Sequence, residues 1–105
     1  MCEHSYATGI EGATALMFSP DERKVLLVWE RGHWTTSGGA VNPGESKLET
    51  LIREVHEEVR VHVDQTWEGV CYLGGWSAGR ARDNLINDNF SAFAVRLQSE
   101  VHSSA

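Results

Sequence analysis

Three glutamates lie close together in one short stretch of the chain, and clustered carboxylates can bind metal ions. Glu54, Glu57 and Glu58 are spaced three and four residues apart, so a helix would place them on one arc of its surface. Glu54 and Glu58 are like charges four residues apart, a pairing that costs a helix stability. Carboxylate oxygens are the ligands that Mg²⁺ prefers. The spacing indicates a hard-cation site, and a solvated face with ion pairs is the alternative.

A helix over residues 46–60 is predicted to position these carboxylates. Ser46 with Glu49 three residues later forms the S-x-x-E pattern of a capping box at a helix start. Arg53 lies four residues after Glu49 and four before Glu57, so it can pair with either carboxylate. The apolar side chains recur at helical spacing and predict one buried stripe. They are Leu48, Leu51, Ile52, Val55 and Val59.

The remaining elements are predicted to be strands, which indicates the fold class α/β (α+β). Apolar and β-branched runs predict strands at 13–18, 24–30, 66–76 and 90–98, with a possible short strand within 32–46. The first two form a hairpin through a turn at 19–23, and a polar connection covers 77–89. Two strands, one helix and two strands suggest a mixed sheet covered by the helix.

The segment from Gly39 to Val61 resembles the signature of the Nudix (MutT-type) hydrolases. That signature reads G, five residues, E, seven residues, then R-E-U-x-E-E-x-G-U, where U is aliphatic. Eight of its nine specified positions match in register and without a gap: Gly39, Glu45, Arg53, Glu54, Val55, Glu57, Glu58 and Val61. The resemblance covers about residues 10–98. It implies a Nudix-type mixed β-sheet with the Nudix helix packed on it.

The same resemblance implies an enzyme that uses Mg²⁺ or Mn²⁺ to cut the pyrophosphate bond of a nucleoside diphosphate linked to another moiety. The implied metal ligands are Gly39, through its carbonyl, Glu54, Glu57 and Glu58. Glu57 and Glu58 would then be catalytic, with Arg53 orienting Glu57 by hydrogen bonding. Glu45 would support the metal cluster or orient water. An anionic protein could receive an anionic substrate through these cations.

The general base is left open, because its position varies in the proteins that this chain resembles. Glu58 itself, Glu100 after the last strand, and Asp83 or Asp88 in the polar connection are the candidates.

Substrate contacts are predicted only in outline, and the nucleoside diphosphate derivative is left open. Trp34 is the aromatic residue expected to face a ligand, and Arg31 and Arg80 could meet phosphates. Trp29 and Tyr72 fall within predicted strands and are expected to be core residues.

Arg60 occupies the position where the signature has glycine. That glycine follows the helix and can adopt a left-handed conformation, which costs a non-glycine residue about 1 kcal/mol or more. Two outcomes are open: Arg60 is strained in that conformation, or the helix continues for one more residue.

The composition bounds the partners and the cellular setting. The chain has 105 residues and a net charge of −6, with no run of lysine or arginine, so general nucleic-acid or membrane-surface binding is not expected. Cys2 and Cys71 match no disulfide framework or metal motif, and there is no apolar run of membrane-spanning length. A single domain over 1–105 in a cytoplasmic, reducing setting is predicted.

The chain ends soon after Leu97, so the usual helix that follows the last strand in similar proteins is expected to be missing. A partner subunit or a second copy could then cover the open face of the sheet. This suggests an alternative function, that of a catalytically idle Nudix-like module that binds a partner or serves as a scaffold.

Overall fold

A computed structural model of the protein describes residues 9–79 and 87–101. The strands are β1 (Glu11–Phe18), β2 (Val25–Leu26), β3 (Val28–Glu30), β4 (His33–Thr35), β5 (Ser37–Ala40), β6 (Val70–Gly79) and β7 (Asn87–Arg96), and the helix is α1 (Lys47–Val59). Within the described ranges, α1 is the only helix, and it is too short and too polar to cross a membrane.

Strand β1 is the centre of a mixed sheet, as the element order predicts. It pairs in parallel with β7 and antiparallel with both β2 and β5, while β6 pairs antiparallel with β7 and forms one edge. Strands β3 and β4 form a separate hairpin. The fold class is confirmed, and the described residues after β7, as far as Val101, contain no helix.

The predicted strand at 24–30 is divided in two. Its first part, β2, forms the expected hairpin with the end of β1, where Met17 pairs with Leu26. It cannot continue along β1, because β5 occupies the same edge of that strand from Gly12 to Ala15. After Leu27 the chain leaves the sheet, and β3 pairs with β4 instead.

The last two strands begin and end at other residues than the sequence predicts. Residues 66–69 form a turn, in which the Gly69 amide donates to the Thr66 carbonyl at 2.9 Å, so β6 starts only at Val70. Both strands extend into the predicted polar connection: β6 continues to Gly79, and β7 already begins at Asn87. Cross-strand pairing therefore holds polar residues such as Ser77 and Asn89 in strands.

Helix α1 begins as predicted and closes the core over β1. Ser46 Oγ accepts from the Glu49 amide at 3.1 Å, and Glu49 Oε1 accepts from the Ser46 amide at 3.0 Å, which completes the capping box. Leu51 and Val55 of the predicted stripe are fully buried, whereas Leu48 lies at its edge and is 38% exposed. The core comprises Ala13, Ala15, Met17, Leu51, Val55, Val63, Val95 and Leu97.

Replacing Leu51 with alanine is expected to lower the free energy of unfolding by about 2–5 kcal/mol, because it opens a cavity in this core. Leu48→Ala is the matched control and should cost less, since its side chain already contacts water. Urea unfolding followed by circular dichroism measures both changes. Equal losses would mean that the Leu51 site collapses without a cavity.

The helix ends at Val59, and Arg60 takes the left-handed conformation with φ 61° and ψ 23°. Of the two outcomes open from the sequence, the structure shows the strained one. The Arg60 amide donates to the His56 carbonyl at 3.0 Å, as expected of a left-handed cap.

Arg60→Gly is expected to raise the free energy of unfolding by about 1 kcal/mol, because glycine adopts this conformation without a Cβ penalty. That gain corresponds to a melting temperature higher by about 4–8 °C in a domain of this size. Arg60→Ala removes the side chain but keeps the Cβ, so it should give no gain. Thermal unfolding of the three proteins tests the claim, and an unchanged Arg60→Gly midpoint would refute it.

Candidate active site

The carboxylate of Glu54 lies directly against the backbone of β5. Gly39 of β5 pairs with Ala13 of β1, and α1 packs against both strands. A Cβ built on Gly39 would be 2.5 Å from Glu54 Oε1, closer than any real contact. Glycine leaves room for the carboxylate at this position, and any larger residue would displace the end of the Glu54 side chain from the strand.

Glu58 lies beside the same strand, with its carboxylate partly desolvated near Ser37 and Gly38 although the residue as a whole is exposed. The least accessible of the three helix glutamates is Glu54, whose side chain is 18% exposed. Burial raises the pKa of Glu58, and the negative charges of Glu54 and Glu30 raise it further. The Gly38 amide and the Ser37 hydroxyl partly offset this rise. Ser37 Oγ is fully buried and makes no hydrogen bond of ordinary geometry among the described residues. The Glu58 charge is thus incompletely compensated by the protein.

Arg53 connects the loop before the helix to the helix carboxylates. Its Nε and Nη2 donate to the two oxygens of Glu45 at 2.8 and 3.0 Å, and its Nη1 donates to Glu54 Oε1 at 2.8 Å. Glu57, the partner expected from the sequence, is 3.5 Å from Nη1 and more than half exposed. Glu49 is engaged in the capping box instead. The structure therefore places Arg53 mainly on Glu45 and Glu54.

Glu45 holds this arginine in place. The Arg53 guanidinium and then the Thr50 hydroxyl, at 2.7 Å, lower the pKa of Glu45 to about 2. The Asn42 amide donates to the same carboxylate at 3.2 Å. Reciprocally, the Glu45 and Glu54 carboxylates raise the pKa of Arg53. Glu45 is thus ionised and its oxygens are occupied by donors.

The predicted metal ligands are brought together only in part. Glu54 and Glu58 lie against the Gly38–Gly39 segment, whereas Glu57 points toward solvent. Within residues 9–79 and 87–101 no group of three His, Cys, Asp or Glu side chains is arranged around a common point for a metal ion. The donors nevertheless fit a divalent cation chemically, because carboxylates and a backbone carbonyl are hard oxygen ligands. In the part of the chain that the structure describes, no cationic side chain pairs with Glu58.

The other base candidates lie apart from these carboxylates. Glu100 is 4.0 Å from Lys24, beside β2. Asp88 accepts from the Ile10 amide at 2.8 Å at the start of β1. Asp83 and Arg80 lie outside the described residues.

The β3–β4 hairpin carries Trp34, which was expected to face a ligand, and Trp29, which was wrongly expected to lie in the core. Trp34 is 62% exposed, in keeping with the expectation that it faces a ligand. Trp29, expected in the core, is 61% exposed and packs edge-on against Trp34. Arg31 forms the hairpin turn with φ 51°. Tyr72 was also expected in the core, but edge strand β6 leaves it 60% exposed.

Sequence reasoning missed Glu30 and Ser37. Glu30 ends β3 in the same cleft as Glu58, and Ser37 lies beside the Glu58 carboxylate. In the sequence, Glu30 is marked only by its neighbour Trp29, and Ser37 only by its neighbour Gly38. Neither neighbour reveals that β3 and β5 lie beside α1.

Comparisons with known proteins identify the family of the chain. The NUDIX domain family model matches residues 10–101. The mouse (Mus musculus) protein "Nucleoside diphosphate-linked moiety X motif 6" is 40% identical over 60 residues, which is 53% of this chain and 19% of that protein. This chain therefore spans about a fifth of the length of that relative.

Solved structures share the fold. A MutT/nudix family protein from Enterococcus faecalis superimposes with a TM-score of 0.71 at 24% identity, over 95% of this chain and 41% of that one. A UDP-X diphosphatase superimposes with a TM-score of 0.68 at 20% identity, over 97% of this chain and 48% of that one. With a family model that matches most of its length, the chain belongs to the NUDIX family.

Proposed function

We propose that this chain hydrolyses the pyrophosphate bond of a nucleoside diphosphate linked to another moiety, with Mg²⁺ or Mn²⁺. NUDIX hydrolases as a class are pyrophosphohydrolases that act on nucleotide-type substrates and generally use divalent metal ions. The observation that supports the proposal here is the approach of Glu54 and Glu58 to Gly39 and Gly38. The names of the mouse relative and of the UDP-X diphosphatase agree with this substrate type.

Glu54, Glu57, Glu58 and the Gly39 carbonyl would hold the metal. When bound, a divalent ion neutralises charge on the diphosphate and lowers the pKa of water. Arg53 positions Glu54 through its hydrogen bond, and Glu45 fixes the guanidinium from the other side. This second layer of contacts orients the carboxylates before substrate arrives.

Glu58 is the best supported of the proton acceptors that the sequence leaves open. It lies beside Ser37 and Gly38, and partial desolvation with the nearby charges of Glu54 and Glu30 raises its pKa, which makes it a stronger base than a glutamate of ordinary pKa. Glu100 instead faces Lys24, and Asp88 accepts from Ile10 at the end of the sheet.

A hydrolysis panel tests the proposal. Nucleoside triphosphates, ADP-ribose, dinucleoside polyphosphates, capped RNA fragments and NADH are incubated with Mg²⁺ or Mn²⁺, and the products are separated by chromatography. We expect release of a nucleoside monophosphate from at least one diphosphate-linked substrate, with full loss of turnover in EDTA. No turnover of any substrate with either metal would contradict the proposal.

The alternative, an idle module that binds a partner, has one observation in its favour. Edge strand β6 exposes Tyr72, Leu73 and Trp76, each more than half accessible, and a second copy or a partner subunit could cover this region. Light scattering, which gives the oligomeric state, and the hydrolysis panel together decide between the two functions. A stable monomer with metal-dependent turnover would exclude the idle module. The reducing, cytoplasmic setting is proposed for either function because Cys2 and Cys71 fit no disulfide framework.

A further inference from the structure

The β3–β4 hairpin holds two exposed tryptophans in a fixed arrangement. Trp29 and Trp34 are directly paired across the strands, with ring centroids 5.2 Å apart and planes at 76°. Arg31 and Gly32 both have positive φ and make the tight turn that sets this register. Each ring supports the other, so the exposed indole surface is rigid before any ligand binds.

Trp29 borders the candidate active site. A cleft of about 270 Å³ is lined by Val28, Trp29, Glu30 and Glu58. Its two carboxylates repel phosphate groups, while the indole face attracts planar rings, including positively charged ones. The cleft is therefore suited to the part of a substrate that carries no phosphate.

A second cleft lies on the other side of Gly38 and Gly39. Its volume is about 310 Å³, and its lining includes Gly38, Gly39, Thr14, Thr36 and Phe90. The threonine hydroxyls, 2.6 Å apart, and the phenyl ring offer hydrogen bonding and stacking to another planar group.

The two clefts share a border at β5. Gly38 and Gly39 line the second cleft, and Glu58, which lines the first, interacts with the Gly38 amide. A diphosphate held at this border would have a cleft with an aromatic side chain on each side. Among residues 9–79 and 87–101, no lysine or arginine lines either cleft to hold a terminal phosphate.

The geometry points to a substrate class with an aromatic heterocycle at each end of a central diphosphate, the second ring stacking on Trp29. This inference rests on the proposed function, because it places the scissile diphosphate at Glu54 and Glu58. It assigns Trp29 as the residue that distinguishes such dinucleotides from nucleoside diphosphates linked to a sugar alone.

ADP-ribose and NADH or NAD⁺ form a matched test, because they share the adenosine diphosphate ribose portion and differ in the nicotinamide ring. We expect kcat/KM of the wild-type protein to be at least about tenfold higher for NADH or NAD⁺ than for ADP-ribose, the effect of one stacking contact. Trp29→Leu should remove this preference by raising KM for the dinucleotide about tenfold more than KM for ADP-ribose. Trp29→Phe should restore most of it.

Trp67→Leu is the control, since Trp67 is 87% exposed and does not line either cleft. It should leave both substrates unaffected. A Trp29→Leu protein that keeps the preference, or that loses activity on both substrates equally, would overturn the inference.

Binding is measured separately by the change in the fluorescence of NADH itself as the protein is added in the presence of Mg²⁺. Trp29-dependent binding without any turnover would refute the proposed hydrolysis while supporting the second ring site. Turnover of NADH that Trp29→Leu leaves unchanged would support the proposed hydrolysis and refute the second ring site.

Discussion

Glu58→Gln is expected to lower kcat by about 10²–10³-fold without loss of stability. Glutamine keeps the size of the side chain but removes the charge that would bind a divalent ion or accept a proton, and such contributions amount to several kcal/mol in the transition state. In the free protein that charge is a cost, because partial desolvation and the nearby charges of Glu54 and Glu30 raise the pKa of Glu58. The melting temperature should therefore be unchanged or higher.

Activity and stability should thus move independently in this variant. Turnover is measured with the best substrate of the panel, thermal unfolding by circular dichroism, and Mn²⁺ binding by electron paramagnetic resonance. Glu68→Gln, the same change at an exposed position outside the signature, is the control and should leave all three unaffected. Glu57→Gln should also reduce turnover strongly. Wild-type activity in both helix variants would rule out catalysis by these carboxylates.

Arg53→Lys is expected to reduce activity by about 10–100-fold, the usual effect of losing a residue that orients metal ligands. Lysine keeps the positive charge, but a single ammonium group cannot reproduce the forked contact with both oxygens of Glu45 while also donating to Glu54. Glu54 would lose its fixed position against Gly39. We expect weaker Mn²⁺ binding in parallel with lower turnover.

Arg96→Lys provides a matched control for the arginine substitution. Arg96 makes a similar two-nitrogen contact with Asp64, at 3.0 and 2.6 Å, away from the helix carboxylates. Both substitutions should lower the melting temperature, but only Arg53→Lys should alter kcat and metal affinity. An equal effect of the two on turnover would mean that Arg53 contributes only to stability.

Local patterns in the sequence predict α1 and its cap correctly. The capping box of Ser46 and Glu49 needs only residues three apart, and the buried stripe of Leu51 and Val55 follows from helical periodicity. The signature likewise indicates the family from residues 39–61 alone.

The errors come from long-range pairing. Residues 24–30 read as one strand, but β5 already occupies the β1 edge beside them, so the second half forms a hairpin with β4. That hairpin exposes Trp29, whose apolar side chain alone suggests burial. Tyr72 is exposed because β6 lies at the edge of the sheet, and sequence position does not specify which strand is an edge.

The sequence by itself determined that Glu54, Glu57 and Glu58 share one helix and where that helix starts, because hydrogen bonds and caps in helices join residues at most a few positions apart. Only the tertiary structure decided which of these carboxylates lie against β5, which glutamates Arg53 binds, and that Trp29 and Glu30 adjoin Glu58. These contacts depend on where β5 and β3 lie beside α1. That placement follows from the pairing of β1 with β5, residues more than twenty positions apart.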